Sequence, residues 1–175
     1  MQGSPTMLGR CAVAATAAEA RFRVDYPNSG PRASRIVAFD AESAAVMRRV
    51  AAGTSAGAHL LTFAGTIGAG EGLGALHLDA RLRREDGGTV LLGDELAGAD
   101  VVVMIATAGS DVGAAAVIGN ACAVRGIMTT ALVVAGPGER PAVVATVAAL
   151  RPFATMLVMA TGEEYIPEML TALRA

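Results

Sequence analysis

The residues able to do chemistry are few, and most sit where an apolar run ends. The clearest group is Ala108-Gly109-Ser110-Asp111-Val112-Gly113, which follows the unbroken run Val101–Thr107 and opens an Ala-rich, helix-like stretch. The Ser110 hydroxyl and the N–H groups of Ala108, Gly109 and Gly113, at the start of a helix, are the right donors for a carboxylate or phosphate. The plainer role for Ser110 and Asp111 is to cap that helix, a position both residue types favour. Asp40 and Glu42 follow the shorter run Ile36–Phe39 and suit a cap and first helical turn, or a cationic or metal-bound ligand. A third group is the stretch from Gly65 to Gly74, whose Gly65, Gly68, Gly70 and Gly72 allow positive φ and close backbone approach to an anion.

Other chemistries lack their residues. Gly70-Glu71-Gly72-Leu73-Gly74-Ala75 matches G-x-G-x-x-A, but it does not follow the first strand, as a dinucleotide fingerprint does. No P-loop, H-E-x-x-H or Ser-His-Asp order occurs, and His59 and His77 have no partner at a recognisable spacing. Two Cys and two His do not make a four-ligand zinc site, so no metal is expected. Cys11 and Cys122 lie far apart without a C-x-x-C, which points to a reducing, cytoplasmic setting. Cys122 shares a helical face with Ala115 and Ile118 and reads as a buried thiol. With a net charge of −2 and no basic cluster longer than Arg81–Arg84, no nucleic-acid partner is expected. Nor is a membrane partner, because no apolar stretch is long enough to span one. The opening twenty residues are too weakly hydrophobic for a persuasive signal peptide.

Those residues need a scaffold, and the composition narrows it. The 175 residues are 53% hydrophobic but only 3% aromatic, so the core is built from Ala, Val, Leu, Ile and Met. That favours helices packed closely on a sheet over a β-sandwich. Residues 1–34 form an N-terminal arm in which Arg21–Tyr26 alternates, Phe22, Val24 and Tyr26 on one face and charges on the other. From residue 35 to 175 strand and helix alternate. Strands are expected at 36–39, 59–64, 89–92, 101–107, 127–135 and 155–159. Helices are expected at 41–52, 94–98, up to Arg125, at 139–150 and at 163–174, with an amphipathic piece of unassigned type ending at Arg84. The expected fold is a single doubly wound, Rossmann-like α/β domain: a mostly parallel sheet with helices on both faces.

Several segments, in order over about residues 35–170, resemble the tubulin/FtsZ nucleotide-binding domain. Leu96–Gly109 resembles the strand leading into that family's signature loop, and Gly113–Ile118 the helix after it. Gly126–Val134 is similar to the next strand. Ala149-Leu150 with Thr155–Met159 resembles the strand before the central helix, and Gly68–Gly72 falls where the family has a second glycine-rich loop. The resemblance implies a guanine nucleotide as the candidate ligand, while the apolar composition and the alternating N-terminal arm point to self-association into a homo-oligomer. The departures imply loss of hydrolysis. Ser110-Asp111-Val112-Gly113 stands where the family has GGGTGxG, Asp40-Ala41-Glu42-Ser43 replaces its first glycine-rich loop, and Thr161–Glu164 lacks its base-reading Asn. The family's catalytic loop and second domain are also unmatched.

Two functions are therefore expected. One is an FtsZ/tubulin-like small-ligand-binding and self-assembly module without GTP hydrolysis. The other is an enzyme, or enzyme subunit, binding a small organic acid or nucleotide-derived cofactor in the same crevice, with Asp40, Ser110 and Asp111 as its polar groups.

Overall fold

The computed structural model describes residues 32–51, 57–65, 77–163, 166–167 and 170. The chain divides at Gly30–Pro31 into two units, and the second is the domain described here. The Arg21–Tyr26 alternation, Cys11 and most of the glycine-rich stretch, including Gly68, Gly70 and Gly72, lie outside the described residues.

In chain order the elements are β1 (Ser34–Ala38), α1 (Ala41–Ala51), β2 (His59–Phe63), β3 (Arg81–Arg84), β4 (Thr89–Leu91), α2 (Leu92–Leu96), β5 (Val101–Thr107), α3 (Ala114–Arg125), β6 (Met128–Val134), α4 (Arg140–Leu150) and β7 (Met156–Ala160). A 3-10 turn, Arg151–Phe153, links the last two. The strands form one sheet in the order β4-β3-β2-β1-β5-β6-β7. β2, β1, β5, β6 and β7 are mutually parallel, with Ile36 opposite both Leu60 and Val103. The expected doubly wound, mostly parallel α/β architecture is what the chain adopts.

β5 lies in the sheet interior, beside the middle strand β1, because it tolerates burial on both faces. All seven of its residues are buried, as an unbroken Val/Met/Ile run requires. One face packs Val102, Met104 and Ala106 against Ile118, Ala121 and Cys122 of α3 and Leu150 of α4. The other packs Val103 and Ile105 against Val46, Met47 and Val50 of α1, with Ile166 and Leu170. Cys122 does join Ala115 and Ile118 in one buried cluster, and burial pushes its thiol up to about 12 against the opposing effect of Arg125.

The unassigned piece before Arg84 ends in β3, which runs antiparallel to β2 and turns back into β4 through Asp86-Gly87-Gly88. Gly87 has φ +86, and Asp86 accepts the Gly88 N–H at 2.8 Å, so the turn residues supply the reversal. The expected helix at 94–98 begins earlier, at Leu92, because Leu92 and Leu96 together are the buried stripe.

Candidate functional site

β1 leads outward to β2 on one side and its other neighbour is β5, so the winding reverses between β1 and β5. Ligands of open α/β sheets bind outside the carboxyl ends of the strands at such a reversal. The sequence candidates Asp40 and Ser110 meet there.

Asp40 caps α1. Its Oδ1 accepts the Ser43 N–H at 2.8 Å and the Ser43 hydroxyl at 2.7 Å, while Ser43 Oγ in turn accepts the N–H groups of Phe39 and Asp40. Two orphan donor sets are satisfied reciprocally, as in a capping box. Burial pushes the Asp40 carboxyl up. The backbone and hydroxyl of Ser43, the Ser110 hydroxyl and the Glu42 N–H outweigh it and leave Asp40 below its ordinary value.

Ser110 closes the turn after β5. Its Oγ lies 2.8 Å from the Thr107 carbonyl and accepts the Thr107 N–H at 2.9 Å. Gly109, with φ +88, makes the bend that only glycine takes without strain. Four of the loop's amides are also engaged. Ala108 donates to the Val134 carbonyl, Gly109 to Thr146 Oγ1, Ser110 to the Thr107 carbonyl and Gly113 to Asp111 Oδ1. The expected capping of α3 by Ser110 or Asp111 does not occur. Gly113 is the N-cap, no side chain caps it, and Asp111 is exposed in a local turn two residues earlier. Gly65 is exposed beyond the end of β2, its Cα side against the Phe63 ring.

Beside this turn is a crevice of about 300 Å³. Its floor is the ends of β5 and β6, Thr107, Ala108 and Val134–Gly136, and its walls are Glu42, Val46 and Arg49 of α1, Glu139, and Gly162-Glu163 after β7. Ala108 and Glu42 are thus the sequence candidates that line it directly. Three carboxylates face one guanidinium. Arg49 is committed to Glu163 through paired contacts of 2.9 and 2.6 Å, which holds Glu163 below its ordinary value. Glu139 Oε2 accepts the Gly136 N–H. Glu42, exposed in the first turn of α1, is the carboxylate in this rim without a hydrogen-bonded or ionic partner among the described residues.

A second polar group lies at the opposite end of the strands, where no candidate was expected. Glu95 of α2 is buried, 3% exposed at its side chain, and carries three partners: Arg35 of β1 at 3.0 Å, His59 of β2 at 2.7 Å and Arg84 of β3 at 2.6 Å. Burial pushes its carboxyl up, and the bonds from His59 and Arg84 more than reverse that, leaving it ionised below its ordinary value. His59 therefore does have a partner. The signal available was a glutamate between Leu92 and Leu96, on the face that must turn inward. A shallow pocket of about 380 Å³ lies beside His59 and Arg84. Among the described residues no group of three His, Cys, Asp or Glu side chains could hold a metal ion, and no helix is long and apolar enough to cross a membrane.

Fold and crevice together define a doubly wound, Rossmann-like α/β protein with an acidic opening at its strand ends. No protein-family model, curated protein or solved structure matches the chain.

Proposed function

We propose that this domain is a small-ligand-binding and self-assembly module, of the FtsZ/tubulin-like kind its sequence resembles, that does not hydrolyse GTP. One observation carries the ligand half: a crevice beside the sheet's switch point, rimmed by Glu42, Glu139 and Glu163, next to a loop in which the amides of Ala108, Gly109, Ser110 and Gly113 are already donated. A polyphosphate needs free N–H groups and cations, whereas here four of the loop's amides are donated and Arg49, the guanidinium of the crevice, is paired with Glu163. A compact, uncharged ligand that offers N–H donors suits the carboxylates instead. The donor edge of a guanine base is such a group, and Glu42 is its acceptor. At about 300 Å³ the opening is at the small end of ligand pockets, matching a nucleoside better than a dinucleotide.

The test is a thermal-unfolding titration with guanosine and, separately, with GTP in the presence and absence of magnesium. Guanosine at a hundredfold excess over its dissociation constant stabilises by about 2.7 kcal/mol, or roughly 5–10 °C for a domain of this size. GTP shifts the transition less. No shift with any of these sinks the ligand reading.

A further inference from the structure

We propose that the free edge of β7 is a two-fold interface through which a second copy of this chain extends the sheet, with Val158 on the axis. The proposal deepens the assembly half of the function above and rests on it; the ligand half stands or falls separately.

The two edges of the sheet are built differently. The β4 edge is three residues long and belongs to a hairpin carrying Arg81, Arg83, Arg84, Glu85 and Asp86, devices that blunt strand addition. β7 has none of them. Met156-Leu157-Val158-Met159-Ala160 contains no charge and no proline, and nothing among the described residues pairs with its outer side. Met156 and Met159 are 39% and 62% exposed. The helix on the same flank is equally bare. Between Arg140 and Arg151, α4 has no charged residue, and its outward positions are Pro141, Val144, Ala145, Ala148 and Ala149, with Val144 68% exposed. A surface helix ordinarily shows charged and polar groups on that side.

The backbone selects the occupant. The Ala160 carbonyl accepts the Ala135 N–H at 3.0 Å, so Ala160 faces β6. A residue of a parallel strand turns both backbone groups to the same neighbour, and the alternation sends Leu157 and Met159 outward. In an antiparallel pair those residues match a second β7 through a two-fold axis at Val158. Leu157 opposes Met159 of the second copy and the reverse, so all four outward groups on each chain are satisfied. The edge is about 17 Å long, a small interface in which backbone bonds rather than buried area hold the two copies. A heterologous peptide would satisfy the same groups but would leave the outer face of α4 uncovered; a second copy brings its own α4.

The test is sedimentation of the full chain at micromolar concentration, alone and as variants. The wild type sediments at twice its 17.6 kDa. Met159→Pro removes an outward donor that the monomer does not use, and Val144→Glu charges the outer face of α4; both sediment at the single-chain mass with unchanged circular dichroism. Val158→Cys, in a Cys11→Ser background, forms an intermolecular disulfide on mild oxidation, because residues facing each other across such an axis lie about 4.5 Å apart at Cα, within disulfide reach. A monomeric wild type overturns both this interface and the assembly reading. An oligomer that survives Met159→Pro and Val144→Glu, or a dimer in which Val158→Cys does not cross-link, overturns this interface alone. A guanosine shift is indifferent to all three results.

Discussion

At the scale of single residues, the polar groups at the carboxyl end of the sheet divide into those that hold the chain and one that is free to meet a ligand. Ser110 belongs to the first kind. Its hydroxyl is the acceptor for the Thr107 N–H and sits 2.8 Å from the Thr107 carbonyl, so it ties the last residue of β5 to the turn beyond it. Ser110→Ala leaves that partly buried N–H without an acceptor, an effect of about 1–2 kcal/mol, and removes one donor from Asp40. The expected result is a drop in melting temperature of a few degrees with the guanosine shift intact. Loss of the shift at unchanged stability would instead make Ser110 a ligand-binding group. Glu42 reverses the pattern. Exposed and without a partner among the described residues, it loses nothing on conversion to Gln except its charge, so E42Q should melt like the wild type and respond less to guanosine.

At the scale of elements, what could be read from the sequence depended on how far each element's stability is local. β5 and the end of α3 at Arg125 fall where the sequence places them, since a seven-residue apolar run and a helix stopped by Gly126, φ +68, carry their own boundaries. β3 escaped recognition because Arg81-Leu82-Arg83-Arg84 has a single buried residue, Leu82, and is a strand only by virtue of pairing with β2 and β4. The turn Asp86-Gly87-Gly88 closes that hairpin. The Glu95 cluster was hidden for a related reason. Its members come from β1, β2, β3 and α2, and only the sheet order makes them neighbours. Close packing of elements leaves a similar trace at Gly119, in mid-helix. A Cβ there would stand 2.5 Å from Phe153 Cβ and 2.8 Å from its carbonyl oxygen, so α3 approaches the 3-10 turn more closely than any side chain permits. Gly119→Ala gains helix propensity of about 1 kcal/mol but forces backbone apart, at about 1–3 kcal/mol. We expect net destabilisation by denaturant titration; a more stable variant would show that the turn yields freely.

At the scale of the whole molecule, β1 links the two polar centres. Arg35 near its amino end reaches Glu95, and Asp40 just past its carboxyl end caps α1. Both carboxyls are held below their ordinary values in the folded chain, Asp40 below 3.8 and Glu95 below 4.5. A depressed folded value means that the unfolded chain takes up protons first as the pH falls. The stability from these groups is therefore complete at neutral pH and is lost as the pH drops below 4.5 through the folded values. The two contributions separate by substitution. Asp40→Asn retains a good cap and changes neutral-pH stability by only a few tenths of a kcal/mol. Glu95→Gln leaves Arg35, whose side chain is 10% exposed, beside Arg84 without a counter-charge. Removing one partner of a buried pair costs about 3–5 kcal/mol, or roughly 10 °C in this size class. Having lost that much at pH 7, E95Q has less left to lose in acid. Melting curves from pH 7 to below 4 should therefore converge, with the wild type falling more steeply. Parallel curves would show that Glu95 is not ionised by its partners in the folded protein, and that the acid sensitivity arises elsewhere in the chain.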